Sequence, residues 1–142
     1  MSDEIQKAVR ELIDQADEIF RNDARRNESR LLYEEALSRA RAAGMYAMEE
    51  YVRGKIELLN ERWKEAAEHF QKVLELERDF PKAWQYKGLA MDEMGKYQEA
   101  LECYSRALEI NPEDEDAWFN KGLCLDEMER YEEALECYSR AL

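Results

Sequence analysis

The chain has 142 residues, 45% hydrophobic and 39% charged, with only five Gly and two Pro, a balance that suits one domain of long helices better than turn-rich β structure. Its 34 acidic and 21 basic residues give a formal net charge of −13. A chain this acidic repels phosphate, which argues against nucleic acid and anionic membrane as partners.

Residues 3 to 20 predict one amphipathic helix, with Ile5, Val9, Leu12, Ala16, Ile19 and Phe20 along its apolar face. Its start is acidic and lacks the basic-then-apolar order of a signal peptide, and no stretch is apolar enough for a membrane span. A cytoplasmic location is expected. The segment LLYEEALSRARAAG, 31 to 44, predicts a second helix, with Tyr33 and Ala36 echoing Trp63 and Ala66. The link RNDARRNES separates the two, so residues 1–44 read as a divergent helical hairpin capping the remainder of the chain.

From there a 34-residue register takes over. Gly54, Gly88 and Gly122 correspond, as do Ala66, Ala100 and Ala134, and Phe70, Tyr104 and Tyr138. Residues 81–108 match 115–142 at 19 of 28 positions. Such a period marks a stack of repeated supersecondary units. Within each unit, Trp84, Gly88 and Met91 form one helical stripe, and Ala100, Tyr104, Ala107 and Leu108 a second. Gly95-Lys96 reads as the stop between them, with Gly95 free to take the left-handed cap conformation. Asn111-Pro112 ends the second helix, and the acids of 113–116 suit the first turn of the next. Gly88 and Ala100 are expected to let the two helices approach closely, while Tyr104 and Ala107 face the neighbouring unit.

Trp84, Gly88, Ala100, Tyr104, Ala107 and Pro112, met again as Trp118, Gly122, Ala134, Tyr138 and Ala141, resemble the tetratricopeptide repeat pattern. The resemblance implies an all-α, right-handed α-solenoid of antiparallel helical hairpins. It divides the chain into the N-terminal hairpin at 1–44, a degenerate unit at 45–80 in which Glu50 replaces the Trp, and units at 81–114 and 115–142. The pattern breaks off at Leu142, before counterparts of Glu109 to Pro112. The array is therefore expected to continue in a longer protein or to be completed by another chain, with self-association through this last repeat as one outcome.

The residues offer little chemistry. Asp92-Glu93 and Asp126-Glu127 are adjacent on helices, so each pair diverges by about 100° and makes no catalytic dyad. His69 occupies the place of Cys103 and Cys137 and reads as a surface histidine. Cys103, Cys124 and Cys137 lack metal-ligand spacing and are odd in number, so neither a metal site nor a disulfide framework is expected. The acidic 113–116 run lacks the spacing of a calcium loop, and no cofactor and no catalysis are expected.

What the resemblance implies instead is binding of a protein or peptide in a concave groove lined by first helices. Carried over position by position, the groove comprises Met48, Tyr51, Lys55 and Leu58; Lys82, Gln85, Leu89 and Asp92; and Asp116, Phe119, Leu123 and Asp126. Tyr51, Leu89, Phe119 and Leu123 make it apolar with an acidic rim, suited to a partner with apolar and basic residues. The family branch that clamps the C-terminal carboxylate of heat-shock chaperones uses Lys, Asn and Arg where this chain has Tyr51, Lys55, Leu89, Phe119 and Leu123, so that clamp is absent. An adaptor role follows as the leading expectation.

Overall fold

A computed structural model describes residues 3–20 and 25–142. Among these, eight α-helices and no strands occur: α1 Asp3–Phe20, α2 Arg26–Ala42, α3 Tyr46–Leu59, α4 Trp63–Leu76, α5 Pro81–Glu93, α6 Tyr97–Ile110, α7 Glu115–Glu127 and α8 Tyr131–Ala141. Within each unit neighbouring helices pack in chain order, α1 on α2 and α2 on α3, then α5 on α6, α6 on α7 and α7 on α8, so the fold is the all-α hairpin array that the register implies. The chain forms two compact units, residues 1–72 and 73–142. Residues 21–24 of the first link lie outside the described residues.

One contact recurs in each hairpin that follows the register. An atom added at Cα of Gly54 would lie 2.7 Å from the Phe70 ring, at Gly88 2.8 Å from the Tyr104 ring, and at Gly122 2.6 Å from the Tyr138 ring. Each first helix thus gives up a side chain so that the second-helix aromatic can lie on its backbone. Tyr104 faces the next unit as expected, and its ring in addition rests on Gly88 of its own hairpin. It also belongs to a buried cluster with Ala100, Leu101, Cys124, Leu125, Ala134 and Cys137, so the same ring joins α5, α6 and α7 in one core.

The turns inside hairpins are equally repetitive. At 61, 95 and 129 the chain takes positive φ, yet only 95 is Gly; Glu61 has φ 58° and Glu129 φ 60°. In each, the next residue donates its N–H back five residues, Arg62 to Glu57, Lys96 to Met91 and Arg130 to Leu125, at 2.9, 2.9 and 2.8 Å. These are helix caps of the left-handed type, with a non-Gly residue accepting the strain at two of the three. Between hairpins, Asp114 caps α7 by accepting from the N–H groups of Asp116 and Ala117. The Trp84 indole donates to the Arg78 carbonyl at 3.0 Å and the Trp118 indole to Pro112 at 2.7 Å. The repeat's tryptophan therefore ties its own helix to the preceding turn.

The N-terminal hairpin obeys the same plan in a shifted register. The Tyr33 hydroxyl donates to Asp17, as that of Tyr104 does to Asp92 at 3.4 Å and that of Tyr138 to Asp126 at 3.3 Å. Tyr33 is thus the counterpart of Phe70 and Tyr104, not of Trp63 as the sequence echo suggests. Helix α2 also begins earlier than position 31, at Arg26. Ser29 takes the place of the repeat's small Ala and satisfies its buried hydroxyl on the Ala16 carbonyl at 2.9 Å.

Two substitutions separate these constraints. Gly88→Ala is expected to cost about 1–3 kcal/mol through overpacking against Tyr104, whereas Glu129→Gly is expected to add about 0.5–1 kcal/mol by removing left-handed strain. Urea unfolding of both variants checks this, and a neutral Gly88→Ala would contradict the close approach of ring and backbone.

Candidate functional site

The twelve groove positions have different fates in the two units. In the first, Tyr51, Lys55 and Leu58 are buried. The Asp17 carboxylate accepts from the Tyr33 hydroxyl and, at 3.1 Å, from the Tyr51 hydroxyl. The Lys55 ammonium lies 3.4 Å from Asp17 Oδ1 and 3.8 Å from the centre of the Phe20 ring. A carboxylate, two phenols and an ammonium under an aromatic ring thus join α1, α2 and α3. A buried charge demands such partners, because desolvation otherwise costs several kcal/mol per ion. Tyr51 and Lys55 are committed to this internal cluster and present no open surface. Met48 is half-buried.

The second unit differs. On α5, Lys82 is exposed, Gln85 is buried, and Leu89 and Asp92 are half-buried. On α7, Asp116 is half-buried and Asp126 exposed. Phe119 and Leu123 are 42% and 43% exposed. Phe119 packs at 5.7 Å, centre to centre, against Tyr138 of its own hairpin, which fixes the ring while leaving its outer side open. Helices α5 and α7 touch directly. The structure therefore brings Leu89, Asp92, Phe119 and Leu123 onto adjoining first helices.

Asp92 is the electrostatically unusual group of this surface. Burial, then the neighbouring Glu93 and more weakly Glu127, push its carboxyl up to about 6, against the opposing hydrogen bond from Tyr104. No cation figures among these influences. By contrast the thiols are chemically quiet. Burial pushes Cys103 up to about 11 and Cys124 up to about 12, so neither thiolate is populated at neutral pH. Among the described residues no group of His, Cys, Asp and Glu is arranged to hold a metal ion.

His69 departs from the expected surface position. It is half-buried, with Nδ1 2.7 Å from Glu50 Oε2. Glu50 stands in the register place of Trp84, and His69 in that of Cys103. The Trp118 and Cys137 counterparts likewise line one cavity in the last hairpin. The two departures of the degenerate unit are thus a matched pair joined by a polar contact, which inspection of either residue alone does not reveal.

The raised Asp92 carboxyl carries a pH signature. Between the ordinary value of 3.8 and about 6 the folded state holds a proton that the unfolded state has lost, so this group's contribution to stability falls as pH rises through that window. Asp92→Asn is expected to be more stable than the parent at pH 7, with the advantage shrinking to nothing near pH 4. Denaturant midpoints of both proteins across this range measure it, and a difference independent of pH would contradict the assignment.

Among protein-family models, Tetratricopeptide repeat matches residues 81–114 and 115–142. No curated protein matches the chain by sequence. Among solved structures, the Sgt2 TPR domain from Aspergillus fumigatus is similar with a TM-score of 0.65 and 20% identity, over 67% of this chain and 63% of that one. This chain accordingly spans less than two thirds of that domain. MamA is similar with a TM-score of 0.68 and 20% identity, over 91% of this chain and 84% of its own. The first TPR of Spaghetti bound to the HSP90 peptide SRMEEVD gives 0.68 and 19%, over 69% and 78%. At such identities the likeness is one of fold. The two matched segments, residues 81–114 and 115–142, are tetratricopeptide repeats, each with its second-helix tyrosine on a first-helix glycine, Tyr104 on Gly88 and Tyr138 on Gly122.

Proposed function

We propose that the chain is a protein-interaction module whose binding surface is the face of α5 and α7 carrying Leu89, Asp92, Phe119 and Leu123, and that its ligand is a peptide segment with apolar anchors. The observation that carries this reading is the open pair Phe119 and Leu123, large apolar side chains more than two-fifths exposed, with the Phe119 ring packed on Tyr138. An anchor buried there contributes roughly 1.5–3 kcal/mol, against about 0–1 kcal/mol for an exposed ion pair. The hydrophobes hold the ligand, and the acids around them steer it. Tyr51, Lys55 and Gln85, being buried, drop out of this surface, while Lys82 and Asp126 border it. Catalysis has no place in this reading, since the thiols are quiet and the carboxylates do not converge. Three buried, unpaired cysteines fit a reducing, cytoplasmic setting.

A second reading rests on α8. Leu135 corresponds to Leu101, and the two are 65% and 9% exposed. In α6 this side is covered by the next hairpin, so the same side of α8 suits another hairpin of like kind, from a second copy or a further repeat. Light scattering over a wide concentration range tests it: mass rising with concentration, and restored to the monomer by Leu135→Glu, supports self-association, whereas a constant monomer mass removes it.

For the leading reading, peptides selected on the immobilised chain are expected to lose at least tenfold in affinity to Leu89→Glu and Phe119→Glu, with helicity by circular dichroism unchanged. Full retention of binding by both variants would remove this surface from consideration.

A further inference from the structure

The two units solve one structural position in opposite ways. Asp17 in α1 and Asp92 in α5 are equivalent, each accepting from the second-helix tyrosine of its own hairpin, Tyr33 or Tyr104. In the first unit the following first helix supplies Tyr51 and Lys55, which donate a hydroxyl hydrogen bond and a positive charge to Asp17. Two register periods later these places hold Phe119 and Leu123. The phenol has lost its hydroxyl and the ammonium has become an aliphatic side chain. Phe20, the ring over the Lys55 ammonium, stands three residues after Asp17; three residues after Asp92 is Gly95. The second unit therefore keeps the carboxylate and its tyrosine, lacks the internal cation and its aromatic cover, and replaces them with two exposed apolar walls.

We propose that the α5–α7 surface receives a lysine or arginine side chain of a peptide partner, its charge on Asp92 and its aliphatic stem across Phe119 and Leu123. The first unit is the internal precedent: Lys55 shows what a cation does when placed beside this carboxylate in this fold. Long basic side chains lay apolar stems on apolar surface while keeping the charge at a polar site, which is the combination Phe119, Leu123 and Asp92 offer. The charged groups acting on Asp92, Glu93 and Glu127, are acidic and reinforce the preference. This inference rests on the reading that the surface binds peptides and adds which side chain it selects.

The test starts from a random capped heptapeptide library selected on the full chain. The best peptide and versions with each Lys or Arg replaced by the uncharged isostere norleucine are then titrated calorimetrically against the parent, Asp92→Asn and the double variant Phe119→Tyr with Leu123→Lys. One basic position shared by the selected peptides is expected. Its norleucine version should bind the parent about tenfold more weakly, with little difference on Asp92→Asn. The double variant, which writes the first unit's residues into the second, should bring the Asp92 carboxyl down by carboxyl-carbon NMR and weaken the basic peptide by about tenfold or more. Peptides that depend on Phe119 but share no basic residue, or a norleucine effect equal in the parent and Asp92→Asn, would overturn the cation subsite and leave peptide binding standing. Selected peptides indifferent to Phe119→Glu, or a library yielding none, would overturn both.

Discussion

A ring lying on a glycine organises each hairpin of the register. Phe70 on Gly54, Tyr104 on Gly88 and Tyr138 on Gly122 set how closely the two helices approach. Where the ring is tyrosine, its hydroxyl lands on the first-helix carboxylate one turn beyond the glycine, Asp92 or Asp126. Packing and electrostatics are thereby coupled. A ring whose position is fixed by van der Waals contact delivers a donor to a particular acid. The caps at 61, 95 and 129 and the indole bonds of Trp84 and Trp118 then fix where each hairpin turns and where the next begins.

This coupling explains why equivalent positions carry different roles. Beside Asp17, Tyr51 and Lys55 complete a buried network, which stabilises the joint between α1, α2 and α3 but consumes the surface. In the second unit the places of Tyr51 and Lys55 hold Phe119 and Leu123, which supply neither hydroxyl nor charge and stay exposed. On the proposed reading, interaction energy that the first unit spends on itself is left to a ligand in the second. The cost is visible in Asp92, held well above the ordinary carboxylate range by burial and acidic neighbours.

Much of the architecture is legible in the sequence because the 34-residue period repeats the residues that matter most, the glycine, the small alanine and the aromatic. Helix α1 falls on 3–20 as its apolar spacing predicts. The N-terminal hairpin is harder to align, since α2 starts at Arg26 and the Asp17-to-Tyr33 spacing is four residues longer than that of Asp92 to Tyr104, so Tyr33 falls out of register. The burial of Tyr51 and Lys55 is hidden for a different reason. Their positions are groove positions by register, and it is the carboxylate of Asp17 and the ring of Phe20, neither marked by the repeat pattern, that they meet in the interior. Glu61 and Glu129 carry no signal of left-handed conformation except their alignment with Gly95.

Whether ligand is taken on the α5–α7 face of the second unit is read directly by methyl NMR of the chain, with leucine methyls labelled, during titration with a library-selected peptide. Saturable shifts are predicted at Leu89 and Leu123, with intermolecular nuclear Overhauser effects to the Phe119 ring, while Leu31, Leu135 and Leu142 stay unmoved. Saturable shifts confined to Leu135 and Leu142, with Leu89 and Leu123 unchanged, would contradict binding on this face and move the binding surface to α8.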